Sequence, residues 1–427
     1  MNDVTKSVTV RSFMKLAIKL ILVVAVVGVC VILAVLTAGR FQRGDAERPV
    51  ETVGTVESVE PVEPREKVQD QNDWPMFQGG QRLLGRAAGE LPDSMALVWK
   101  FKTGGQIKSS PVIDDGLVFV GSSDANVYAV DLETGRGVWE YKTGGEVEGT
   151  PCVVDGSVFV GSSDGFLYAF DGKSGFLRWR YETDGEILGA ANWTVSPDGK
   201  RKWILVGSYD NMLHCVDSAD GKAVWTYETD SYINGSPAVS EGMTAFGGCD
   251  AMIHVVSVAD GSKVTQIDTD SYIAASAAFI EGQVYVGNYG NELIRADVGT
   301  GKIAWRYTDA DAPFFSSPAI GEDVVVLGGR DKKVHCIGRD DGKAVWTFQT
   351  LGEVDSSPVI CGDKVVVGSE DGRLYMIRLS DGTEVWSYQI GRAVMSSPAV
   401  ARGMVVVGSD DGYLYAFGAE GKKRSTD

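Results

Sequence analysis

Residues 109–148 read SSPVIDDGLVFVGSSDANVYAVDLETGRGVWEYKTGGEVE, and this stretch decides the fold. It contains four short runs rich in Val, Ile and aromatic residues, namely SSPVI, LVFVGS, NVYAVD and GVWEYKT, separated by Asp-Gly, Ser-Asp and Thr-Gly turn sequences. This pattern predicts a four-stranded antiparallel meander. Because one small sheet cannot bury its faces alone, the meander needs neighbours of the same kind.

The stretch recurs with a period close to forty residues. The glycine that ends its second strand returns eight times, with steps of 40, 46, 40, 40, 41, 40 and 40 residues, at Gly121, Gly161, Gly207, Gly247, Gly287, Gly328, Gly368 and Gly408. Four-stranded units repeated at this period stack around a central axis. We therefore predict an all-β fold, an eight-bladed β-propeller with four-stranded antiparallel blades.

The two ends of the repeat array complement each other. The last copy stops after three strands at Phe417, whereas residues 96–103, ALVWKFKT, form a spare strand ahead of the first full copy. An unclosed ring would leave unpaired strand edges. We predict that this N-terminal strand completes the eighth blade, and that the propeller spans residues 74–427.

The pattern A-x-D-x-x-T-G-x-x-x-W at residues 129–139 resembles the docking motif of the pyrroloquinoline-quinone (PQQ) type β-propeller repeat, and the resemblance covers residues 74–427. It implies that the tryptophan of each blade packs between adjacent blades. The tryptophans in this role are Trp99, Trp139, Trp179, Trp225, Trp305, Trp346 and Trp386. The fourth copy departs from the motif with Ser257 and Thr265 in the Asp and Trp columns, which leaves its contact with the next blade open.

The N-terminal part of the chain differs in composition from the repeats. Residues 1–19 form a short basic tail, residues 20–38 carry no charge, and residues 39–73 are rich in Pro, Glu and Val. Nineteen helical residues at ~1.5 Å each span close to the ~30 Å of a bilayer core. We predict a single transmembrane helix over residues 20–38 and a disordered tether over residues 39–73. Cleavage after the apolar segment, or lipidation at Cys30, are the alternatives.

The basic residues on the two sides of the apolar segment predict on which side of the membrane the propeller lies. Four basic residues precede the apolar segment and three follow it, which favours a cytoplasmic N-terminal tail and a single-pass protein with its propeller on the periplasmic side of the cell membrane. The formal net charge is -18, and the repeats contain no run of Lys or Arg. This balance argues against nucleic-acid binding.

Cysteines, histidines and a recurring aspartate raise the question of chemistry. Cys30 lies in the apolar segment and the other five cysteines fall in five repeats, so we expect buried thiols rather than bridges. His214, His254 and His335 occupy a column that holds Tyr in other copies, which predicts structural side chains in three blades and no metal site. The aspartate that follows the second strand predicts turn formation.

Two families with this repeat imply different functions. Many members are quinoprotein dehydrogenases, and the resemblance implies that these hold PQQ and calcium with a vicinal disulfide and long loops. Here no two cysteines are adjacent, and a forty-residue blade leaves connections of ~2 to 6 residues. We predict no catalytic residue, no cofactor and no enzyme activity. A PQQ-dependent dehydrogenase and a sensor of a small ligand in the axial channel are the alternatives.

The other relative is the BamB-type lipoprotein, a compact eight-bladed propeller that the resemblance presents as a non-catalytic scaffold in outer-membrane β-barrel assembly. The N-terminus departs from that family, because an apolar span stands where a lipidated cysteine is expected. We predict a protein-interaction scaffold whose partners are other envelope or membrane proteins, held to the membrane through residues 20–38.

Three successive connections between blades differ from the rest. Most connections are small or acidic, whereas TDSYING, TDSYIAA and TDADAPFFSS carry aromatic residues. Exposed aromatic side chains on adjacent connections are typical anchors of protein recognition. We predict a partner site with anchors and an acidic rim at Tyr232, Tyr272, Phe314, Phe315, Asp230, Asp270, Asp309 and Asp311. In the alternative, the aromatics fold inward and fill the axial channel.

Overall fold

The structure is a computed structural model that describes residues 73–420. No helix within this range is long and apolar enough to cross a membrane. The predicted basic tail, the predicted transmembrane helix over residues 20–38 and all but the last residue of the predicted tether lie outside the described residues. Within the range, one 3-10 turn at Phe77–Gly79 precedes an all-β array of eight sheets.

Two strands come before the first full copy of the repeat, namely β1 Arg86–Ala87 and β2 Met95–Lys102. Blade 1 contains β3 Val112–Asp114, β4 Leu117–Gly121, β5 Asn126–Asp131 and β6 Gly137–Lys142, and blade 2 contains β7 Cys152–Val154, β8 Ser157–Gly161, β9 Phe166–Asp171 and β10 Leu177–Glu182. Blade 3 contains β11 Asn192–Val195, β12 Lys202–Gly207, β13 Met212–Asp217 and β14 Ala223–Glu228, and blade 4 contains β15 Ala238–Ser240, β16 Met243–Gly247, β17 Met252–Ser257 and β18 Lys263–Asp268.

Blade 5 contains β19 Ala278–Ile280, β20 Gln283–Gly287, β21 Leu293–Asp297 and β22 Lys302–Tyr307, and blade 6 contains β23 Ala319–Ile320, β24 Val324–Gly328, β25 Lys333–Gly338 and β26 Ala344–Gln349. Blade 7 contains β27 Val359–Cys361, β28 Lys364–Gly368, β29 Arg373–Arg378 and β30 Glu384–Gln389, and blade 8 contains β31 Ala399–Ala401, β32 Met404–Gly408 and β33 Tyr413–Ala419 together with β2. Each blade is an antiparallel meander, so the predicted eight-bladed propeller of four-stranded blades is confirmed.

The predicted closure of the ring is also confirmed. Strand β2 pairs antiparallel with β33, from Met95 opposite Ala419 to Lys102 opposite Tyr413. The outer strand of blade 8 therefore comes from the start of the propeller and its three inner strands come from the end. Because this pairing satisfies the edge of β33, the ring has no open blade.

The tryptophans of the docking motif lie at the seams between blades, as the motif predicts. The indole Nε1 of Trp139 donates to the carbonyl of Gly172 in the next blade at 2.8 Å. The ring lies against Gly175, where an added Cβ would come within 2.6 Å of it, and Gly175 has a φ of +71°. Only glycine combines this backbone conformation with such a close approach. Equivalent indole hydrogen bonds come from Trp99, Trp179, Trp225, Trp305 and Trp346.

The seam between blades 4 and 5 is built differently. Thr265 stands in the tryptophan column, and its Oγ1 faces Gly301. Aliphatic side chains from both blades form one buried cluster there, with Val255 and Ile267 on one side and Ala296 and Val298 on the other. The contact that the sequence left open is therefore present, with aliphatic packing in place of an indole.

Residues 74–87, which we name the lead-in segment, run along the inner strands of the ring. Backbone hydrogen bonds of 2.7 to 3.0 Å join it to the innermost strand of blades 1, 2, 4, 5, 6 and 7, at Ile113, Val153, Val239, Phe279, Ile320 and Ile360. The side chain of Asn192 in blade 3 donates to the carbonyl of Gln81. Strand β1 adds a parallel fifth strand to blade 7.

Because innermost strands line the axis of a propeller, the lead-in segment fills the channel on the side of the turns between first and second strands. Trp74 is 2% exposed and Phe77 is also buried, so both side chains anchor this segment. Gln78 follows Phe77 and is 3% exposed, and neither its amide nitrogen nor its amide oxygen has a hydrogen-bond partner in the described residues.

The described cysteines are free thiols in the blades, four of them buried, as predicted. Cys30 lies outside the described residues. Burial raises the pKa of the thiols of Cys152, Cys215, Cys336 and Cys361. These side chains therefore behave as small apolar residues of the core.

The histidines replace tyrosines, as the repeat alignment predicts. In blade 1 the Tyr128 hydroxyl donates to Asp124 Oδ2 at 2.7 Å. In blade 6, His335 Nε2 lies 3.1 Å from the Asp331 carboxylate, and its Nδ1 lies 3.0 Å from the Tyr307 hydroxyl. His214 and His254 make the same two contacts with Asp210 and Tyr181, and with Asp250 and Tyr227, respectively.

The recurring aspartate forms a turn, which agrees with the prediction. Burial alone would raise the pKa of Asp124, but hydrogen bonds from the Tyr128 hydroxyl and from backbone amides hold that pKa below its usual value. In blade 2, burial together with the hydrogen bond to Asp164 raises the pKa of Tyr168 to about 12. Asp124 therefore stays ionised and Tyr168 stays neutral at neutral pH.

Candidate functional site

One face of the ring carries the connections between blades and also the turns between second and third strands, and we name it the connection face. Backbone hydrogen bonds join the two kinds of loop, for example from Tyr289 to Tyr272 at 2.9 Å and from Glu370 to Glu353 at 2.9 Å. Each blade contributes to this face side chains from its connection and from its turn between the second and third strands. The opposite face carries the other turns of each blade, and we name it the turn face.

An arc of aromatic side chains lies on the connection face of blades 3 to 6. Its members, which we name the aromatic arc, are Tyr209, Tyr232, Tyr272, Tyr289 and Phe315. Tyr232, Tyr272 and Tyr289 are 50%, 58% and 42% exposed. Tyr209 and Tyr232 stack with ring centroids 4.9 Å apart, and the Tyr289 centroid lies 4.7 Å from that of Phe315 and 6.4 Å from that of Tyr272. Neighbouring rings therefore support one another while their outer faces meet solvent.

Phe314 does not belong to this surface, which corrects its proposed role as an anchor. Its side chain is 0% exposed and packs in the core, with its ring centroid 5.3 Å from that of His335. It occupies the column that holds Ile273 in the preceding connection, and both side chains lie against the glycine that ends a second strand. One aromatic residue of the three connections thus folds inward, while Tyr232 and Tyr272 remain exposed.

Arg330 joins the aromatic arc to a group of carboxylates. Its guanidinium lies 3.4 Å from the centroid of the Phe315 ring. The same group donates to both carboxylate oxygens of Asp355, at 3.0 and 2.7 Å, and lies 3.3 Å from Glu353. A stacked guanidinium with a bidentate carboxylate is a strong and geometrically specific pair.

Carboxylates crowd the connection face beyond Arg330, and we name Glu353, Asp355, Glu370 and Asp410 the acidic arc. Carboxylate oxygens of the first three lie within 4.8 Å of one another, close enough for a metal ion. Burial, followed by repulsion from Asp355 and Glu353, raises the pKa of Glu370. Burial also raises the pKa of Asp410, although Lys108 opposes the shift. Negative charge is thus concentrated beyond what the nearby cations neutralise.

The predicted acidic rim lies on the same face and is partly neutralised. Asp230 and Asp309 are exposed. Asp270 pairs with Arg306 at 2.8 Å, and Asp311 lies 3.4 Å from Lys333. The rim residues are therefore present where the sequence places them, but the crowded carboxylates are those of the acidic arc.

Sequence reasoning missed the turn residues of this face. The residue two positions after the reference glycine is Ser123 or Ser163 in blades 1 and 2, and it becomes Tyr209, Cys249, Tyr289, Arg330, Glu370 and Asp410 in the others. This change of residue type along one column was a usable signal, because serine is the ordinary turn residue and the six replacements are not.

The residues of this face do not fit the set that a PQQ site implies. The described cysteines are separate thiols, so a vicinal disulfide has no counterpart. Carboxylate oxygens suit calcium, but both oxygens of Asp355 already accept from Arg330. The tyrosines stand open to solvent rather than on two sides of an enclosed planar slot. We therefore assign no chemical step to PQQ or calcium here.

Comparison with known proteins relates the chain to both functional classes. The family profile described as outer membrane protein assembly factor BamB matches residues 91–198, 189–271, 249–393 and 330–424. No curated protein sequence matches the chain. The crystal structure of BamB from Moraxella catarrhalis is similar with a TM-score of 0.64 and 19% identity, covering 76% of this chain and 100% of that one.

Enzymes share the fold as well. The quinohemoprotein alcohol dehydrogenase from Comamonas testosteroni has a TM-score of 0.70 and 14% identity, over 83% of this chain and 82% of that one. A europium-containing methanol dehydrogenase has a TM-score of 0.70 and 13% identity, over 82% of this chain and 99% of that one. At such identities these likenesses establish the propeller architecture and leave the activity open.

Proposed function

The chain belongs to the BamB family of PQQ-like β-propellers, and we propose that it is a non-catalytic scaffold that binds other proteins of the cell envelope through its connection face. The exposed aromatic arc carries this proposal. Tyrosines with two rotatable side-chain angles lose little entropy on binding and offer large amphipathic contact areas, which is why they anchor many protein interfaces.

The location proposed for this function is the periplasmic side of the cell membrane, with residues 20–38 as the anchor. The charge pattern around that segment supports it, together with the name of the family. Participation in outer-membrane protein assembly is the finer form of the proposal, and it rests on the family description alone.

Site-specific photo-crosslinking tests the scaffold. A photoreactive phenylalanine analogue replaces Tyr272 on the aromatic arc, and the full-length protein is irradiated in its native membranes. Phe176 provides the matched control, because it is an aromatic residue with 73% exposure in a turn of the opposite face. We expect a discrete adduct with an envelope protein from position 272 and none from position 176. Equal adducts from both positions, or none from either, would contradict the proposal.

A PQQ-dependent dehydrogenase is the second candidate, and the fold shared with such enzymes favours it. Its test is dye-linked oxidation of alcohols and sugars after incubation with PQQ and calcium. Turnover that disappears in a Glu370→Gln variant would favour the enzyme over the scaffold.

A further inference from the structure

The connection face has a strong charge imbalance. Three columns of side chains on this face, namely the two connection positions that flank the buried residue and the turn position two residues after the reference glycine, contain the acids Glu146, Glu148, Glu186, Glu353, Asp355, Glu370 and Asp410 and the bases Lys108 and Arg330. Lys108 is held by Glu148 at 2.6 Å, and Arg330 is held by Asp355. A surface with this balance repels anionic lipids and nucleic acids and attracts cations.

Arg330 displays how the face binds a guanidinium. One flat side lies on Phe315 and the edge meets Asp355, so aromatic stacking and a bidentate carboxylate act on the same group. Aromatic rings and carboxylates also lie together elsewhere on the connection face. Tyr209 and Tyr232 form a stacked pair with ring centroids 4.9 Å apart, and burial, followed by the charges of Cys249, Glu186 and Glu148, raises the pKa of the Tyr209 hydroxyl.

The carboxylates of the acidic arc are incompletely satisfied. Asp410 Oδ1 is buried and has no hydrogen-bond partner within residues 73–420. Glu370 faces Asp355, Glu353 and Asp410, with Arg330 as the cation acting on it. Half-buried like charges at this separation cost free energy that an incoming cation recovers.

We infer that the connection face takes an extended segment of a partner protein that carries arginine or lysine side chains, which lie across the aromatic arc and end at the carboxylates of the acidic arc. This inference rests on the proposed scaffold function and adds the chemistry of its partner. Apolar parts of the segment would cover the exposed tyrosine faces, and its cations would neutralise the excess of carboxylates.

The probe for this inference is a blocked hexapeptide of alternating arginine and glycine, titrated into the full-length protein by calorimetry. Its control is the same peptide with citrulline, which keeps the shape and hydrogen-bonding plane of arginine and removes the charge. We expect citrulline to weaken binding about tenfold or more, and we expect the affinity for the arginine peptide to fall as salt is raised.

Paired variants locate the site. The double substitution Glu370→Gln and Asp410→Asn removes two carboxylates from the acidic arc. The matched control, Glu133→Gln with Asp340→Asn, removes two exposed carboxylates from turns of the opposite face. We expect about a tenfold loss of peptide affinity in the first variant and less than twofold in the second. Equal losses of affinity in the two variants would show that the peptide responds only to the net charge of the protein, and this result would overturn the inference.

Two further results would overturn it. The first is calcium binding with micromolar affinity that displaces the peptide and is lost when Glu370 is substituted. That result would assign the carboxylates of the acidic arc to a metal site. Crosslinking from position 272 that survives the substitutions at Glu370 and Asp410 would support the scaffold function but would show that the acidic arc does not bind a cationic segment of the partner. Absence of any adduct from position 272 in the protein without further substitutions counts against the scaffold itself.

Discussion

The two faces of the ring are built from the same repeat and differ in what they leave unsatisfied. On the turn face, the lead-in segment bonds to the inner strands and buries Trp74. The turn between β11 and β12 in blade 3 is longer than its counterparts and carries basic residues. These are paired, since Arg201 lies 2.7 Å from Asp217 and Lys202 lies 2.7 Å from Asp155. On the connection face, aromatic rings and carboxylates remain open. The packing therefore concentrates stability on the turn face, and the proposed scaffold function assigns recognition to the connection face.

The largest effect should come from removing the closure. A chain that begins at Ser109 lacks both the lead-in segment and β2, so β33 loses its partner strand and the channel loses its filling. We expect a chain that begins at Asp73 to unfold in one cooperative transition, and the shorter chain to lose that transition. Circular dichroism during heating measures both, and equal cooperativity would show that the turn face does not depend on this segment.

The next largest effect should come from removing one aromatic side chain, and its size should differ between the two faces. Trp74→Ala removes a buried side chain from the lead-in segment and should lower the free energy of unfolding by ~3 to 5 kcal/mol. Tyr272→Ala removes an exposed ring from the connection face and should change it by ~0.5 kcal/mol or less. Urea unfolding of the two variants gives the comparison. Similar costs at both positions would mean that the aromatic arc is structural.

Gln78 offers a test with the opposite sign. Its buried amide has no partner within the described residues, and an unsatisfied amide costs about 1 to 3 kcal/mol. Gln78→Met keeps the volume and removes the polar atoms, so we expect stability to rise by ~1 kcal/mol in the same urea experiment. A lower stability would show that the amide is satisfied by water in the channel and that the turn face is hydrated there.

The smallest effect concerns the pH dependence of the acidic arc. The pKa of Glu370 is raised in the folded protein by burial and by Asp355 and Glu353, so its ionisation opposes folding. Stability should therefore fall as pH rises from about 4 through the folded-state pKa of this carboxyl. Glu370→Gln should melt slightly higher than the unaltered protein at neutral pH and equally below about pH 4. A variant that melts lower at neutral pH would contradict the strain assigned to this carboxylate.

Much of the fold was predictable because it repeats. Eight copies of the glycine at the end of the second strand fixed the number of blades, and the spare strand near Trp99 predicted the closure that β2 makes with β33. The lead-in segment was not predictable in the same way. It occurs once, so no period reveals it, and its hydrogen bonds use the free edges of inner strands that a sequence pattern does not show.

The candidate site divides along a similar line. The exposure of Tyr232 and Tyr272 agreed with their prediction as surface residues, and their role in binding a partner stays a prediction. Phe314 was misplaced because the extra residue in its connection hides the alignment. Counting back from Ser316-Ser317-Pro318 would have put it in the buried aliphatic column and left Phe315 exposed. The acidic arc depends on side chains from different blades meeting across the face, which spacing in one chain does not encode.

The closure also fixes an order of events during synthesis. Strand β2 and the lead-in segment are made first, but their partners at Tyr413 and in blade 7 follow about 300 residues later. At ~5 to 20 residues per second, these strand edges wait ~15 to 60 s for the strands that cover them. An unpaired strand edge is a template for pairing with other chains, so we expect β2 of the nascent protein to be open to such pairing until the last blade is complete.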